Sequence, residues 1–283
     1  MTQLKNSIAI KAWLALMLFW VAGISWAAQV AGTIVQLSGP LMAKRADGAV
    51  RILSMKSEVE SGDTLVTEKN TYAMVKFIDN SEITLKPSTT FKVENFSYDA
   101  GKPDGDNASF SLVKGGLRSV TGLLGKRNKE KFSLKTPSAT IGIRGTTFIA
   151  EWVEASEQTV AQAAAARQAW LMASTAGLGD SYPVQPLMLA QVNVPSPGRA
   201  GTLAPGLYVQ VIDGMINVSN SGGNLNFAAG QFGFTPSVQQ PPVIVPTNPG
   251  LKFSPPAVFS ASTSQSPSSS TPGKSNTVDC EVR

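Results

Sequence analysis

Two glutamates two residues apart, Glu58 and Glu60, are the nearest approach in this sequence to a paired-carboxylate site. In an extended segment they would share one face with Cα atoms roughly 6.5–7 Å apart, and glycosidases work with two such carboxyl groups. Glu60, however, abuts a Ser61-Gly62-Asp63 turn, and strand edges commonly carry charges of this kind. We read the pair as structural. Asp104-Gly105-Asp106-Asn107 opens like a calcium loop, but Gly115 stands where the closing glutamate belongs, so it reads as an ordinary turn. Histidine is absent, which removes Ser-His-Asp and Cys-His nucleophiles, histidine metal sites and histidine pH switches together. The single cysteine, Cys280, forms neither an internal disulfide nor a thiolate cage. There is no phosphate-binding glycine loop, dinucleotide fingerprint or Gly-x-Ser-x-Gly elbow. The sequence therefore predicts a protein that is not an enzyme and uses no cofactor or metal.

What remains is charge. Arg118, Lys126, Arg127, Lys129, Lys131, Lys135 and Arg144 gather against Glu130 alone, and the tip from Gly125 to Lys131 reads as a hairpin loop. Arg118, Lys126, Arg127, Lys129 and Lys131 are the candidate contacts to an envelope protein or an anionic envelope glycan. The competing reading is a solvated hairpin that keeps the chain soluble. Nucleic acid is not an expected partner, because no aromatic residues interleave with the lysines and the chain is expected to be exported.

That expectation rests on the first residues. Lys5 and Lys11 precede the apolar run from Ala12 to Ile24, and Ser25-Trp26-Ala27 supplies the small residues of a cleavage site. Residues 1–27 are read as a signal peptide cleaved before Ala28, which places the mature chain in the periplasm or outside the cell. If the segment were retained, it would instead anchor the protein in the membrane.

The elements that must position these groups are strands. Apolar residues alternate in Ala73, Val75, Phe77; in Ile83, Leu85; in Phe91, Val93; and in Phe132, Leu134. Turn formers punctuate them at Ser61-Gly62-Asp63, Asp79-Asn80-Ser81, Pro87-Ser88, Lys102-Pro103-Asp104-Gly105 and Gly115-Gly116. No room is left for the crossover helices of a parallel sheet. Residues 154–176 change character to an alanine-rich helix, followed by a Pro- and Gly-rich loop. Alternation then returns at Leu207, Val209, Val211 and continues through Ile216, Val218, Leu225 and Phe227. A short echo, Val113–Leu117 against Val211–Met215, is compatible with stacked, similar turns. Half of the eighteen prolines fall between Pro236 and Pro272, among many Ser and Thr, so residues 236–283 are expected to be an extended or disordered tail. The fold expected is all-β with solenoid-like short strands. It forms one domain over 28–235, with residues 154–206 as a helical and loop insertion.

The order of SGDTLVT (61–67), YAMVKFIDNSEITLKPSTTFKVENF (72–96), LVKGGLR (112–118) and FSLKTPSATIGIRGTTFIAEW (132–152) resembles the FecR domain family. The resemblance covers about residues 30–152, and Tyr208 to Phe234 looks like the family's closing strands. It implies an extracytoplasmic FecR-like sandwich or roll used as a binding module, with membrane-anchored periplasmic sensing in FecR-type signalling as the alternative. Eleven residues precede the hydrophobic segment, so a folded cytoplasmic sigma-factor-binding part is not expected, nor a specific link to iron. Within these motifs, Gly62, Gly115, Gly116 and Gly145 suit turns or close chain approach. Asp63 and Asp79 suit turn-fixing acceptors, and Pro137 a strand start. Arg144, among Ile141, Ile143 and Phe148, is expected to cross-link carbonyls or pair with a carboxylate.

Overall fold

The computed structural model describes residues 29–155 and 203–259, together with residues 164, 165, 167, 168 and 171. The expected signal peptide, most of the insertion and the end of the tail lie outside the described residues. Seventeen strands form two facing sheets, called front and back, that share one long strand.

The chain alternates between the sheets. It begins in the front sheet with β1 (Val30–Leu37) and crosses to the back for the hairpin of β2 (Leu41–Lys44) and β3 (Val50–Leu53). It returns as β4 (Glu58–Glu60), visits the back sheet as β5 (Thr64–Thr67), and forms the front hairpin of β6 (Ala73–Phe77) and β7 (Glu82–Leu85). β8 (Thr90–Ser97) lies in the back sheet beside the first half of β9 (Asn107–Val120). A short helix, α1 (Leu123–Arg127), leads to β10 (Phe132–Lys135) and β11 (Thr140–Ile143) in the back sheet. Then come β12 (Thr147–Val153) and β13 (Gly206–Asp213) in front, and β14 (Met215–Asn220) and β15 (Gly223–Ala228) behind. β16 (Phe232–Thr235) and β17 (Val243–Val245) close the front sheet. The expected solenoid-like, all-β architecture is the one observed, and the inward side chains of both sheets interleave into one core.

β9 is the hinge of this arrangement. Its first half pairs with β8 and, in parallel, with β10; its second half pairs with β7 and β12 in the other sheet. The change of sheet falls at Gly115-Gly116, which therefore form a corner inside a continuous strand and not the turn expected there. Gly115 takes φ +81°, and a Cβ on it would meet Thr89 Oγ1. Buried Thr89 accepts from the Gly116 N–H at 3.1 Å and donates to the Gly116 carbonyl at 3.0 Å, so both backbone groups at the corner stay satisfied.

Three further expectations change. The β9–β10 pairing is parallel, so the basic segment between them is a helical crossover and not a hairpin. The echoing pentapeptides sit at opposite ends of β12, with Trp152 opposite Gly115 and Thr147 opposite Asp213, so they do not stack. Order also continues beyond residue 235: β17 pairs with β16, and Val245, Leu251 and Phe259 are buried, although their segment reads as a tail by composition. Their apolar side chains are too sparse to produce a periodic signal, yet each finds a partner on the front sheet. β12 and β13 pair directly along their length, so residues 154–205 leave and re-enter at neighbouring strands. Within the insertion, the described residues Ala164, Ala165, Arg167, Gln168 and Leu171 are helical and exposed, whereas Leu203 and Ala204 at its end are partly buried.

Candidate functional site

The buried carboxylates are all engaged in holding turns and crossovers. Asp63 accepts from the Glu60 N–H at 3.0 Å and from Arg51 at 2.6 Å. Asp79 accepts from the backbone and hydroxyl of Ser81, and from the Leu124 N–H at the start of α1. Both act in the turn-fixing role expected of them. Asp106 is the centre of a larger cluster. Arg127 grips it through both oxygens, Nε to Oδ2 at 2.7 Å and NH2 to Oδ1 at 2.6 Å, and Asn128 adds a bond at 2.9 Å. The same guanidinium donates to the Asp99 and Ala100 carbonyls and lies 4.6 Å from the Tyr98 ring centroid. The hydrogen bond from Arg127 is the main cause that holds the Asp106 carboxyl below its ordinary range, against the burial that opposes it. Arg127, expected to meet a partner, thus fastens the α1 crossover to the β8–β9 loop. Arg144 shows the reverse: it is exposed, and among the described residues its guanidinium has no hydrogen-bond or ion-pair partner. The arginine that cross-links carbonyls and a carboxylate is Arg127, although its sequence neighbours are charged and those of Arg144 apolar.

The other candidates disperse. Arg118 lies in the front-sheet half of β9, opposite Thr84 and Ile149, with its Nε buried and unpaired. Lys126, Lys129 and Lys131 remain exposed on the crossover. Glu60 is bound by Arg45 at 2.6 Å, while Glu58 is exposed. Gly62 and Gly145 hold positive φ, as expected. Gly116 instead leaves room for Lys86 and Glu151 to form a 2.7 Å ion pair across it; a Cβ there would lie 2.8 Å from Lys86 Cδ. Pro137 is exposed in the β10–β11 turn, which Thr136 closes through bonds with Ala139. An open groove of about 570 Å³, lined in part by Gln29, Tyr98, Asp99 and Lys102, runs beside the Arg127 cluster.

The two outward faces differ. On the front sheet, Tyr208 is fully buried beneath Val245 and Leu251, its ring 4.6 Å from that of Phe234, and its hydroxyl donates to the Ala204 carbonyl at 2.9 Å. Burial pushes its pKa up to about 12. The C-terminal segment continues to Tyr72, which meets Phe253 and Phe259 edge-on. On the back sheet, the outward positions from β8 to β15 are mostly Ser, Thr, Asn and Lys, whereas Val50 and Ile52 are exposed on β3 at its other end. Asn95, Ser109 and Ser133 are in register, as are Gly142, Asn217 and Asn226.

Residues 63–165 match the family model described as FecR protein. The match begins at β5 and ends beyond β12, before the strands that follow the insertion. Two crystal structures of a putative anti-sigma factor from Parabacteroides distasonis ATCC 8503 align over 64% of this chain at 9% identity, with a TM-score of 0.36. The chain spans 58% of that protein's length. A structure described as a cell surface anchoring domain aligns over 22% of this chain and 82% of its own length, at 19% identity and a TM-score of 0.22. No curated protein matches the chain. The motif order and the matched region agree: residues 63–165, which carry strands β5 to β12, are similar to the FecR protein family.

Proposed function

We propose that this protein is a non-enzymatic, exported binding module of the bacterial cell envelope, which works by presenting the open side of its β sandwich to a partner. The observation that carries this reading is the division of labour among its charges. Asp63, Asp79 and Asp106 face inward and are occupied by structural donors, whereas Lys44, Lys126, Lys129 and Lys135 are exposed. Catalysis by acid groups needs carboxyls free to exchange protons with a substrate; binding needs a stable scaffold and an accessible surface. The arrangement favours the second. Export follows from the three-part pattern of residues 1–27.

Cross-linking of the full chain in envelope extracts tests the binding role. A reproducible protein or glycan adduct supports it, and consistent recovery of the protein without any adduct overturns it. N-terminal sequencing of the cell-derived protein tests the placement. A start at Ala28 supports a released module, whereas an intact Met1 would favour an anchored sensor of FecR-type signalling.

A further inference from the structure

The register of the back sheet places three lysines in a line that the sequence does not reveal. Lys44 is opposite Thr64, Thr64 opposite Lys92, Lys92 opposite Ser111, and Ser111 opposite Lys135. The same row continues from Lys135 to Thr140, Ser219 and Asn224. Their neighbours Ala43, Leu65, Phe91, Val93, Phe110, Leu112, Leu134 and Ile141 enter the core, so the row points away from it. Adjacent strands lie about 4.8 Å apart, which sets Lys44, Lys92 and Lys135 at intervals of about 10 Å in a line across the strands. Hydroxyls stand between them.

Edge protection does not account for this pattern, because β8 and β10 are paired on both sides. Lys44 and Lys135 have no ion-pair partner among the described residues, and Lys92 holds one, Glu94 at 2.7 Å. That pair is 40% and 32% exposed, so water screens it and a ligand carboxylate can compete. Between Lys44 and Asn224 the row itself carries no aromatic or apolar side chain of the kind that dominates protein interfaces; the exposed apolar residues of this face, Val50 opposite Lys44 and Ile52 opposite Met42, lie at its β3 end.

Resting on the binding-module reading above, we propose that this row binds a linear acidic polysaccharide carrying one carboxylate on every second sugar, laid across the strands. A β-linked pyranose chain advances by about one strand spacing per sugar. Its alternate carboxylates would then meet Lys44, Lys92 and Lys135 in turn, and its hydroxyls would meet Thr64, Ser111 and Thr140.

Calorimetric titration of the full chain with hyaluronan oligosaccharides of defined length tests this, since they carry a carboxylate on alternate sugars. Affinity should rise with length to about six sugars and then level off. Neutral N-acetylglucosamine oligomers should bind at least tenfold more weakly (about 1.4 kcal/mol). The triple variant K44Q/K92Q/K135Q should lose about tenfold in affinity, whereas K56Q/K69Q, in exposed turns at the far end of β2 from Lys44, stays within about twofold. The variant K92Q/S111K keeps the net charge but breaks the interval, and it should bind like a protein lacking Lys92. Equal losses in the triple variant and K56Q/K69Q, or full affinity in K92Q/S111K, would overturn the proposal. So would a wild-type chain that ignores the oligosaccharides while still cross-linking in envelope extracts; that outcome removes the glycan and leaves the binding module standing. A chain that does neither removes both.

Discussion

The front and back sheets share a strand and a core but treat their outer faces in opposite ways. The front face carries Met74, Ile149, Tyr208 and Phe234, all buried, and the chain after β16 lies against Tyr208 and Tyr72. The back face carries Lys92, Ser109, Ser111, Ser133, Thr140 and Asn217, with Val50 and Ile52 exposed on β3, and has no such cover among the described residues. Strand sequence alone explains the contrast. β13 is apolar on both faces, as a strand buried on both sides must be, whereas β8 and β14 alternate as half-solvated strands do. A sandwich built this way has one face committed to its own stability and another free to be shared.

Removing residues 236–283 should break the contrast most. It takes away Val245, Leu251, Phe253 and Phe259, and a fully buried apolar side chain contributes about 1.5–3 kcal/mol. The truncated chain should lose several kcal/mol in urea unfolding and bind a hydrophobic dye; unchanged stability would mean that the front face needs no cover. Y208A should cost about 3–5 kcal/mol, and Y208F about 1 kcal/mol for the lost bond to Ala204. Because Tyr208 ionises only near 12 in the folded protein, its contribution is complete below about pH 10 and fades as pH rises through about 12. Ultraviolet titration should show one late tyrosine that is missing in Y208F.

D106N should cost about 1–3 kcal/mol by weakening the Arg127 grip. The depressed Asp106 pKa stabilises the fold above the usual carboxylate range, and this is lost as pH falls from about 4 toward the folded value. The gap in stability between wild type and D106N should therefore narrow in acid. Smallest of all, S111A and T140A on the back face should change stability by less than about 0.5 kcal/mol, measured in the same unfolding assay.

The inward-facing residues were legible because alternation is local: Val75, Phe77, Ile83, Leu85, Phe91, Val93 and Leu134 enter the core as the period of two demands. The turn roles of Asp63 and Asp79 were legible for the same reason. Long-range register was not. Lys44, Lys92 and Lys135 are far apart in the chain, and only hydrogen bonding among β2, β5, β8, β9 and β10 aligns them. Arg127 lies among lysines and Arg144 among apolar residues, yet it is Arg127 that reaches a buried carboxylate, because Asp106 comes from a distant loop. Gly115-Gly116 has turn composition, but Leu112 before it and Leu117 after it both enter the core, so the chain bends without ending its strand. The segment around Leu251 was hidden by its prolines, which favour extended chain, and extended chain can still lie against a sheet.

Hydroxyl-radical footprinting of the full chain, read residue by residue by mass spectrometry, tests the contrast between the faces most directly. The account predicts that Tyr208 and Phe234 stay unmodified in the intact protein and become labelled when residues 236–283 are removed, while exposed Ile52 on β3 is labelled in both. Labelling of Tyr208 and Phe234 in the intact chain at the level of Ile52 would contradict it.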